Sequence, residues 1–189
     1  LGENSSKFRN QDIAVGTNSS AVGFNNTASG FASSALGNHN TASGLYSSAV
    51  GYNNTATGSA SSAVGYNNTA SGLNSSAVGT RNSALGQGST AYGAASGYSY
   101  HTIQYDNATN PTKIVSINNI PVTATTTNTN SITAINGIAV TQAQVTTFLN
   151  SLQNGGSVAL GENSSTFGNQ NIAARDYSSA VGYNNTASG

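Results

Sequence analysis

Histidines and carboxylates, the side chains that most often carry out acid–base catalysis, are rare in this sequence. They comprise His39, His101, Glu3, Asp12, Asp106, Glu162 and Asp176. His101 and Asp106 could form a dyad on one strand, but the alternation of side chains along a strand places them on opposite faces. The many serines have no neighbouring base and lack the strand–turn–helix context of a nucleophile elbow. We therefore expect that the protein is not an enzyme.

Metal and cofactor chemistry has equally little support. The chain has no cysteine, which excludes disulfides and thiolate metal sites. It has no Asp-rich nonapeptide of the kind that binds calcium in repeat proteins. Gly86-Gln87-Gly88 is an isolated G-x-G and does not indicate a phosphate-binding loop. We expect neither a cofactor nor a metal.

The composition excludes several classes of partner. Of the 189 residues, 100 are Asn, Ser, Thr or Gly, and only 5% are charged, against about 25% in typical soluble proteins. The formal net charge is zero, which argues against binding to nucleic acids or anionic membranes. The repeat pattern described below is already under way at Leu1 and still running at Gly189. We therefore expect the sequence to be a piece of a longer protein.

An Ala-x-Gly triplet recurs every seven residues, twelve times without a gap, between Ala14 and Gly93. From Ala21 to Gly79, its middle residue alternates between an apolar and a hydroxyl side chain, so the full repeat is 14 residues long with two unlike halves. Seven residues hold a short strand and a turn, whereas helical repeats need about 33 residues or more. The sequence predicts an all-β solenoid with two short strands in each 14-residue coil.

The alternation of side chains along each strand predicts which face is buried. In Ser-Ala-Val-Gly, Ala and Gly point to one side, and Ser and Val point to the other. Because alanine occurs in both halves of every coil, we expect facing alanine columns inside. The apolar middle residues then form a stripe outside one sheet, and self-association is expected to cover it. The predicted interface residues are Val22, Leu36, Val50, Val64, Val78 and Val181.

A column of aromatic and asparagine residues follows the Gly of Ala-Val-Gly at equivalent corners. Tyr52 and Tyr66 should stack one coil apart, beside ladders of asparagine. Such stacks stabilise a solenoid corner, and an exposed repeated edge also makes many weak contacts with a target. His39 replaces the asparagine of other coils, and we interpret it as a turn residue. The candidate adhesive ladder comprises Phe24, Tyr52, Tyr66, Tyr183, Asn53 and Asn67.

Residues 160–189 repeat residues 1–30 with 22 identities in 30, and the triplet is absent from Tyr100 to Gly156. We predict a head β-roll over 1–97, an inserted α+β module over 98–156, and a second head segment over 157–189. The insert serves either as a structural adaptor or as the element that recognises a ligand.

Within the insert, residues 113–122 and 131–140 each favour a strand, a turn and a strand, with Asn136-Gly137 as a hairpin signal. Thr141 and Gln144 form a candidate capping box ahead of a short amphipathic helix. The expected core comprises Ile114, Ile117, Ile132, Ile135, Val145 and Phe148.

The run Ser-Ser-Ala-Val-Gly-Tyr-Asn-Asn-Thr-Ala-Ser-Gly at residues 61–72 resembles the head repeats of YadA-like trimeric autotransporter adhesins of Gram-negative bacteria. The resemblance covers about 1–97 and 157–189 and rests on the phase, the 14-residue length and the Ala-Val-Gly triplet. It implies a left-handed parallel β-roll, with three chains side by side as a homotrimer. It also implies display on the bacterial cell surface, beyond a stalk and an outer-membrane anchor.

The function implied is non-enzymatic attachment to an extracellular matrix protein, a host cell or an abiotic surface. A trimeric rod presents each site three times, so weak contacts add up by avidity. Two other classes stay open. An ice-binding solenoid should carry regular Thr-x-Thr columns, but within the predicted solenoid only Thr55-Ala56-Thr57 fits. A phage or surface-layer fibre would share the trimeric β architecture without being an adhesin.

Overall fold

The computed structural model describes residues 1–9, 11–94, 103–107, 109, 112–117 and 120–188. In this part of the chain, two parallel sheets of nine strands each form a solenoid. Each coil contributes its first strand to sheet A and its second strand to sheet B. Residues 14 apart pair between neighbouring coils, as Val50 does with Val64 and Ala56 with Ala70. The predicted all-β parallel solenoid with 14-residue coils is confirmed.

The coils are numbered 1 to 9 in the order in which their strands occur along the chain. The strands of sheet A are Ser6–Lys7, Ser20–Phe24, Ser34–Asn38, Ser48–Tyr52, Ser62–Tyr66, Ser76–Thr80, Thr90–Gly93, Ser165–Asn169 and Ser179–Tyr183. The strands of sheet B are Ile13–Ala14, Thr27–Ala28, Thr41–Ala42, Thr55–Ala56, Thr69–Ala70, Ser83–Ala84, Val158–Ala159, Ile172–Ala173 and Thr186–Ala187.

The interior of the roll is lined by alanine, as the alternation predicted. One buried cluster consists of alanines from both sheets, and Ala49 and Ala56 are typical members. Neighbouring coils also approach each other closely within sheet A. A Cβ on Gly65, whose φ is +119°, would lie 2.1 Å from the carbonyl oxygen of Gly79. Only small side chains fit between the two sheets, so the apolar middle residues of sheet A lie outside.

A ladder of buried asparagines runs beside the alanine columns. The side-chain Nδ2 of Asn54 donates to Oδ1 of Asn40 at 3.0 Å, and to the carbonyl oxygens of Val50 and Gly65 at 2.9 and 2.7 Å. Asn68 repeats this pattern on Asn54. In the Asn-Asn pairs of coils 2, 4 and 5, the second asparagine is therefore buried, whereas sequence reasoning placed both ladders on an exposed corner. The buried amides hold consecutive coils together.

The roll continues through the insert rather than stopping and restarting. In coil 7, the sheet A strand ends at Gly93 and the sheet B strand begins at Val158. That sheet B strand pairs with Ser83–Ala84 on one side and Ile172–Ala173 on the other. The insert, residues 94–157, is therefore spliced into one corner of coil 7. The predicted boundary near Gly97 lies outside the described residues.

The insert is a small α+β module. In the described residues, an antiparallel five-stranded sheet is followed by one α-helix, α1, at Gln142–Gln153. Thr141 and Gln144 form the predicted capping box, and the two predicted hairpins are present. All six predicted core residues are buried. The strands are Ile103–Tyr105, Ile114–Ile117, Ile120–Ala124, Ile132–Ile135 and Ile138–Ala139, and a 3₁₀ turn covers Thr129–Ser131.

The insert packs against the outer face of sheet B. Its core is continuous with apolar side chains of coils 6 to 8, and the hydroxyls of Ser151 on α1 and Ser83 on coil 6 lie 2.5 Å apart. Among the described residues, no helix is long and apolar enough to cross a lipid bilayer. The residues of the roll that lie beneath the insert are Leu85, Val158, Leu160, Ile172 and Ala174.

Candidate functional surfaces

The outer face of sheet A carries an apolar stripe along the whole roll. The pairing of neighbouring strands places Val22 beside Leu36 and Val64 beside Val78. In a single chain, the side chains of the stripe are half-buried or exposed. Three aromatic residues that sequence reasoning did not include extend it. Tyr92 and Phe167 occupy the same register positions, and Phe8 precedes Val22 by one 14-residue coil, with its amide donating to the carbonyl oxygen of Ala21. The stripe comprises Phe8, Val22, Leu36, Val50, Val64, Val78, Tyr92, Phe167 and Val181.

The corner between sheet A and sheet B carries stacked rings. Tyr52 and Tyr66 are parallel within 8°, with their ring centroids 5.4 Å apart, and each is 46% exposed. Beside them, Nδ2 of the exposed Asn53 donates to Oδ1 of Asn67 at 3.0 Å. Both asparagines have a positive φ, a backbone conformation that asparagine tolerates better than most residues. The rings and these amides lie on one solvent-facing edge.

The ring of His39 completes this edge. Coil 3 has Asn38 at the column position of Phe24 and Tyr52. His39 fills the gap, because its ring lies 5.8 Å from Phe24 and 6.0 Å from Tyr52. The positive φ of His39 agrees with its interpretation as a turn residue, but its place in the ring stack was missed.

A cation closes the stack at the other end. The guanidinium of Arg81 lies 5.8 Å from the Tyr66 ring centroid, a cation–π arrangement. Tyr183 stands apart from this stack, since its column neighbour in coil 8 is Asn169. The continuous aromatic edge therefore consists of the rings of Phe24, His39, Tyr52 and Tyr66, and the guanidinium of Arg81 lies at its end.

A polar cleft lies where the aromatic edge meets the insert. It has a volume of about 110 Å³ and combines amide and hydroxyl side chains with one guanidinium. Such groups suit a hydroxylated or anionic ligand better than an apolar one. The cleft is lined by Asn67, Thr69, Arg81 and Ser83 of the roll and by Thr147, Asn150, Ser151 and Asn154 of α1.

The acid–base residues are not assembled into a catalytic group in the described structure. Asp106 accepts hydrogen bonds from the hydroxyl and the amide of Thr112 and from the amide of Lys113. These bonds lower the pKa of the exposed Asp106 carboxyl to about 2, so it serves as the acceptor of a turn. His101 lies outside the described residues. Within the described ranges, no three His, Cys, Asp or Glu side chains cluster as a metal site.

The family comparison identifies the roll. The YadA head domain repeat (2 copies) matches residues 14–40, 28–54, 42–68, 56–82, 70–96, 154–185 and 176–189. These overlapping matches cover more than half of the chain. The chain belongs to the YadA head family. Heads of this family are surface-exposed parts of adhesins, which indicates an adhesin function for this YadA head. No curated protein matches the chain.

Proposed function

We propose that this YadA head is a non-enzymatic part of the head of a homotrimeric adhesin on the bacterial cell surface. The observation that carries the proposal is the unbroken apolar stripe on the outer face of sheet A, in a chain whose repeats match the YadA head family. Monomeric proteins rarely expose an apolar surface of this length, so a partner is needed to cover it. Two further copies of the same chain provide that cover.

The proposed trimer joins the rolls through sheet A. Val22, Leu36, Val50, Val64, Val78 and Val181 then face the other two chains. Sheet B and the insert lie on the opposite face of each roll and stay outside. The side chains of sheet A carry almost no charge, so bringing three copies together requires little desolvation of ionised groups.

The aromatic edge and the polar cleft beside it are the proposed contact surfaces for a target. Tyr52 and Tyr66 present rigid, amphipathic rings, which form large contacts at a low cost in conformational entropy. A trimer repeats each surface three times, and avidity converts weak contacts into attachment. The target class is an extracellular matrix protein, a host cell or an abiotic surface.

Light scattering tests the trimer. With a trimeric coiled coil fused at the C-terminus and then cleaved, we expect a mass of three times 18.9 kDa. The variant Val50→Asp/Val64→Asp should be monomeric, because it places six charges at the proposed interface. The matched control Thr55→Asp, on the outer face of sheet B, should stay trimeric. A wild-type chain that is folded and monomeric after cleavage would contradict the proposed interface.

A second experiment tests attachment. The trimer is applied to surfaces coated with matrix proteins, to host cells and to bare plastic, and the retained protein is measured. We expect Tyr52→Ser/Tyr66→Ser to reduce retention, and Thr55→Ser, on the outer face of sheet B, to leave it unchanged. Because the chain has few charges, retention should persist at raised ionic strength. Trimers that attach to none of these surfaces would contradict the adhesive function while leaving the trimer intact.

A further inference from the structure

Sheet B has apolar residues on its outer face in two separate places. In coils 2 to 5, its outward positions hold threonine or serine, as in Thr55 and Thr57. In coils 6 to 8, most of these positions are apolar and are covered by the insert. In coil 1 they are again apolar, namely Ile13 and Val15. Apolar outer positions on sheet B therefore mark where the insert docks, with coil 1 as the exception.

The two places differ in exposure. Ile172 and Ala174, beneath the insert, are 3% and 0% exposed. Ile13 and Val15 are 48% and 54% exposed. The proposed trimer does not cover Ile13 and Val15, because they lie on sheet B whereas the proposed trimer interface lies on sheet A.

The internal repeat makes the two places equivalent. Residues 1–30 and 160–189 are 22 of 30 identical, and this alignment places Ile13 on Ile172 and Val15 on Ala174. In the second copy, the sheet B strand that directly follows the insert, Val158–Ala159, pairs with Ile172–Ala173. In the first copy, the corresponding edge of Ile13–Ala14 has no such neighbour among the described residues.

The insert also contacts the backbone of this surface. Nδ2 of Asn136, in the hairpin turn of the insert, lies 3.3 Å from the carbonyl oxygen of Ala174 and 3.5 Å from that of Ser188. The corresponding carbonyls in coils 1 and 2 belong to Val15 and Ser29. The N-terminal surface thus has the side chains and the backbone acceptors with which the roll holds its insert.

We propose that the outer face of coil 1 docks a second α+β module of the same kind as residues 94–157, carried on the same polypeptide ahead of Leu1. The roll strand that directly follows this module pairs with Ile13–Ala14, and the core of the module covers Ile13 and Val15.

Thiol labelling of a tandem protein tests this arrangement. The first copy in the tandem consists of residues 1–159, and the second copy is the complete chain of 189 residues. The bond from Ala159 of the first copy to Leu1 of the second reproduces the natural junction of Ala159 with Leu160. Since the chain has no cysteine, a single Ile13→Cys substitution reports on that surface alone. It is placed in the second copy of the tandem and, separately, in the 189-residue chain. Ile172→Cys and Thr55→Cys in the 189-residue chain are the buried and exposed references.

We expect the thiol introduced by Ile13→Cys to react about tenfold or more slowly in the tandem than in the single chain, approaching the rate of the buried Ile172→Cys reference. Adding Phe148→Ser to the first copy, which disrupts its insert, should restore fast labelling. Equal rates in the tandem and the single chain would overturn the proposal. So would a rate in the single chain that falls with protein concentration, because a separate copy would then be the occupant. If Ile13→Cys impairs folding, Val15→Cys gives the same readout.

Discussion

The backbone amide of Ser157 donates a hydrogen bond to Oδ1 of Asn82 at 3.2 Å, although 75 residues separate the two in sequence. The hydroxyl of Ser157 donates in turn to the carbonyl oxygen of Gly168 at 3.0 Å, and it accepts from the amide of Asn171 at 3.2 Å. Ser157 thus takes an asparagine's place in the buried ladder. The ladder passes from coil 6 to coil 8 without interruption, which is why an insert of this size leaves the roll continuous.

The roll should fold without the insert, but with an exposed apolar surface. We expect this when residues 94–157 are replaced by Tyr-Asn-Asn, the corner that follows Gly65 in coil 5. Leu85, Leu160 and Ile172 would then lose their cover, since they pack against the insert core. Circular dichroism should still report β structure, while binding of a hydrophobic dye should rise well above that of the parent. Loss of the β signal would mean that the insert is required for folding.

The two asparagines of one corner should contribute very differently to stability. Asn54→Ala removes a buried side chain whose amide bonds to coils 3 and 5, and we expect a loss of about 3 kcal/mol in the free energy of unfolding. Asn53→Ala changes an exposed residue with positive φ and should cost about 1 kcal/mol. Chemical denaturation of both variants measures the difference. Equal losses would contradict the importance assigned to the buried ladder.

The period of the sequence predicted the solenoid. The spacing of the Ala-x-Gly triplets gives the coil length, and their alanines identify the side of each strand that points inward. It could not separate the roles of Asn53 and Asn54. The two residues are identical in type and adjacent, and only the backbone turn decides which one points inward. Tyr92 was detectable as an outer-face residue, since it is the middle residue of Ala91-Tyr92-Gly93.

The sequence contains only a weak indication that the roll continues across the insert. Counting back two residues from Ala159 gives Ser157 at the position that asparagine holds before Ala70. One hydroxyl in place of an amide is too common a change to predict a spliced coil. The place where the insert docks was likewise visible only after the sheets had been assembled, because Leu85 and Ile172 are distant in sequence.

The turn held by Asp106 should loosen in acid. Its hydrogen bonds from Thr112 and Lys113 favour the ionised carboxylate and lower the pKa from 3.8 to about 2. The stabilisation is therefore fully present above pH 3.8 and is lost as the pH falls towards about 2. Nuclear magnetic resonance of the Thr112 amide should give a midpoint near 2. A midpoint at the ordinary aspartate value, or the same transition in Asp106→Asn, would show that this carboxylate does not hold the turn.

The first member of the buried ladder is an aspartate, and replacing it should stabilise the roll. Oδ1 of Asp12 accepts from the amide and the side chain of Asn26 at 2.9 and 3.0 Å, but its buried Oδ2 has no hydrogen-bond partner among the described residues. At the equivalent position in the second segment, Nδ2 of Asn171 donates to two backbone carbonyls. Asp12→Asn should supply the same donor and raise the free energy of unfolding by about 1 kcal/mol. The reverse change, Asn171→Asp, is the matched control and should lower it. If both variants shift the unfolding midpoint in the same direction, the amide is not what the ladder position requires.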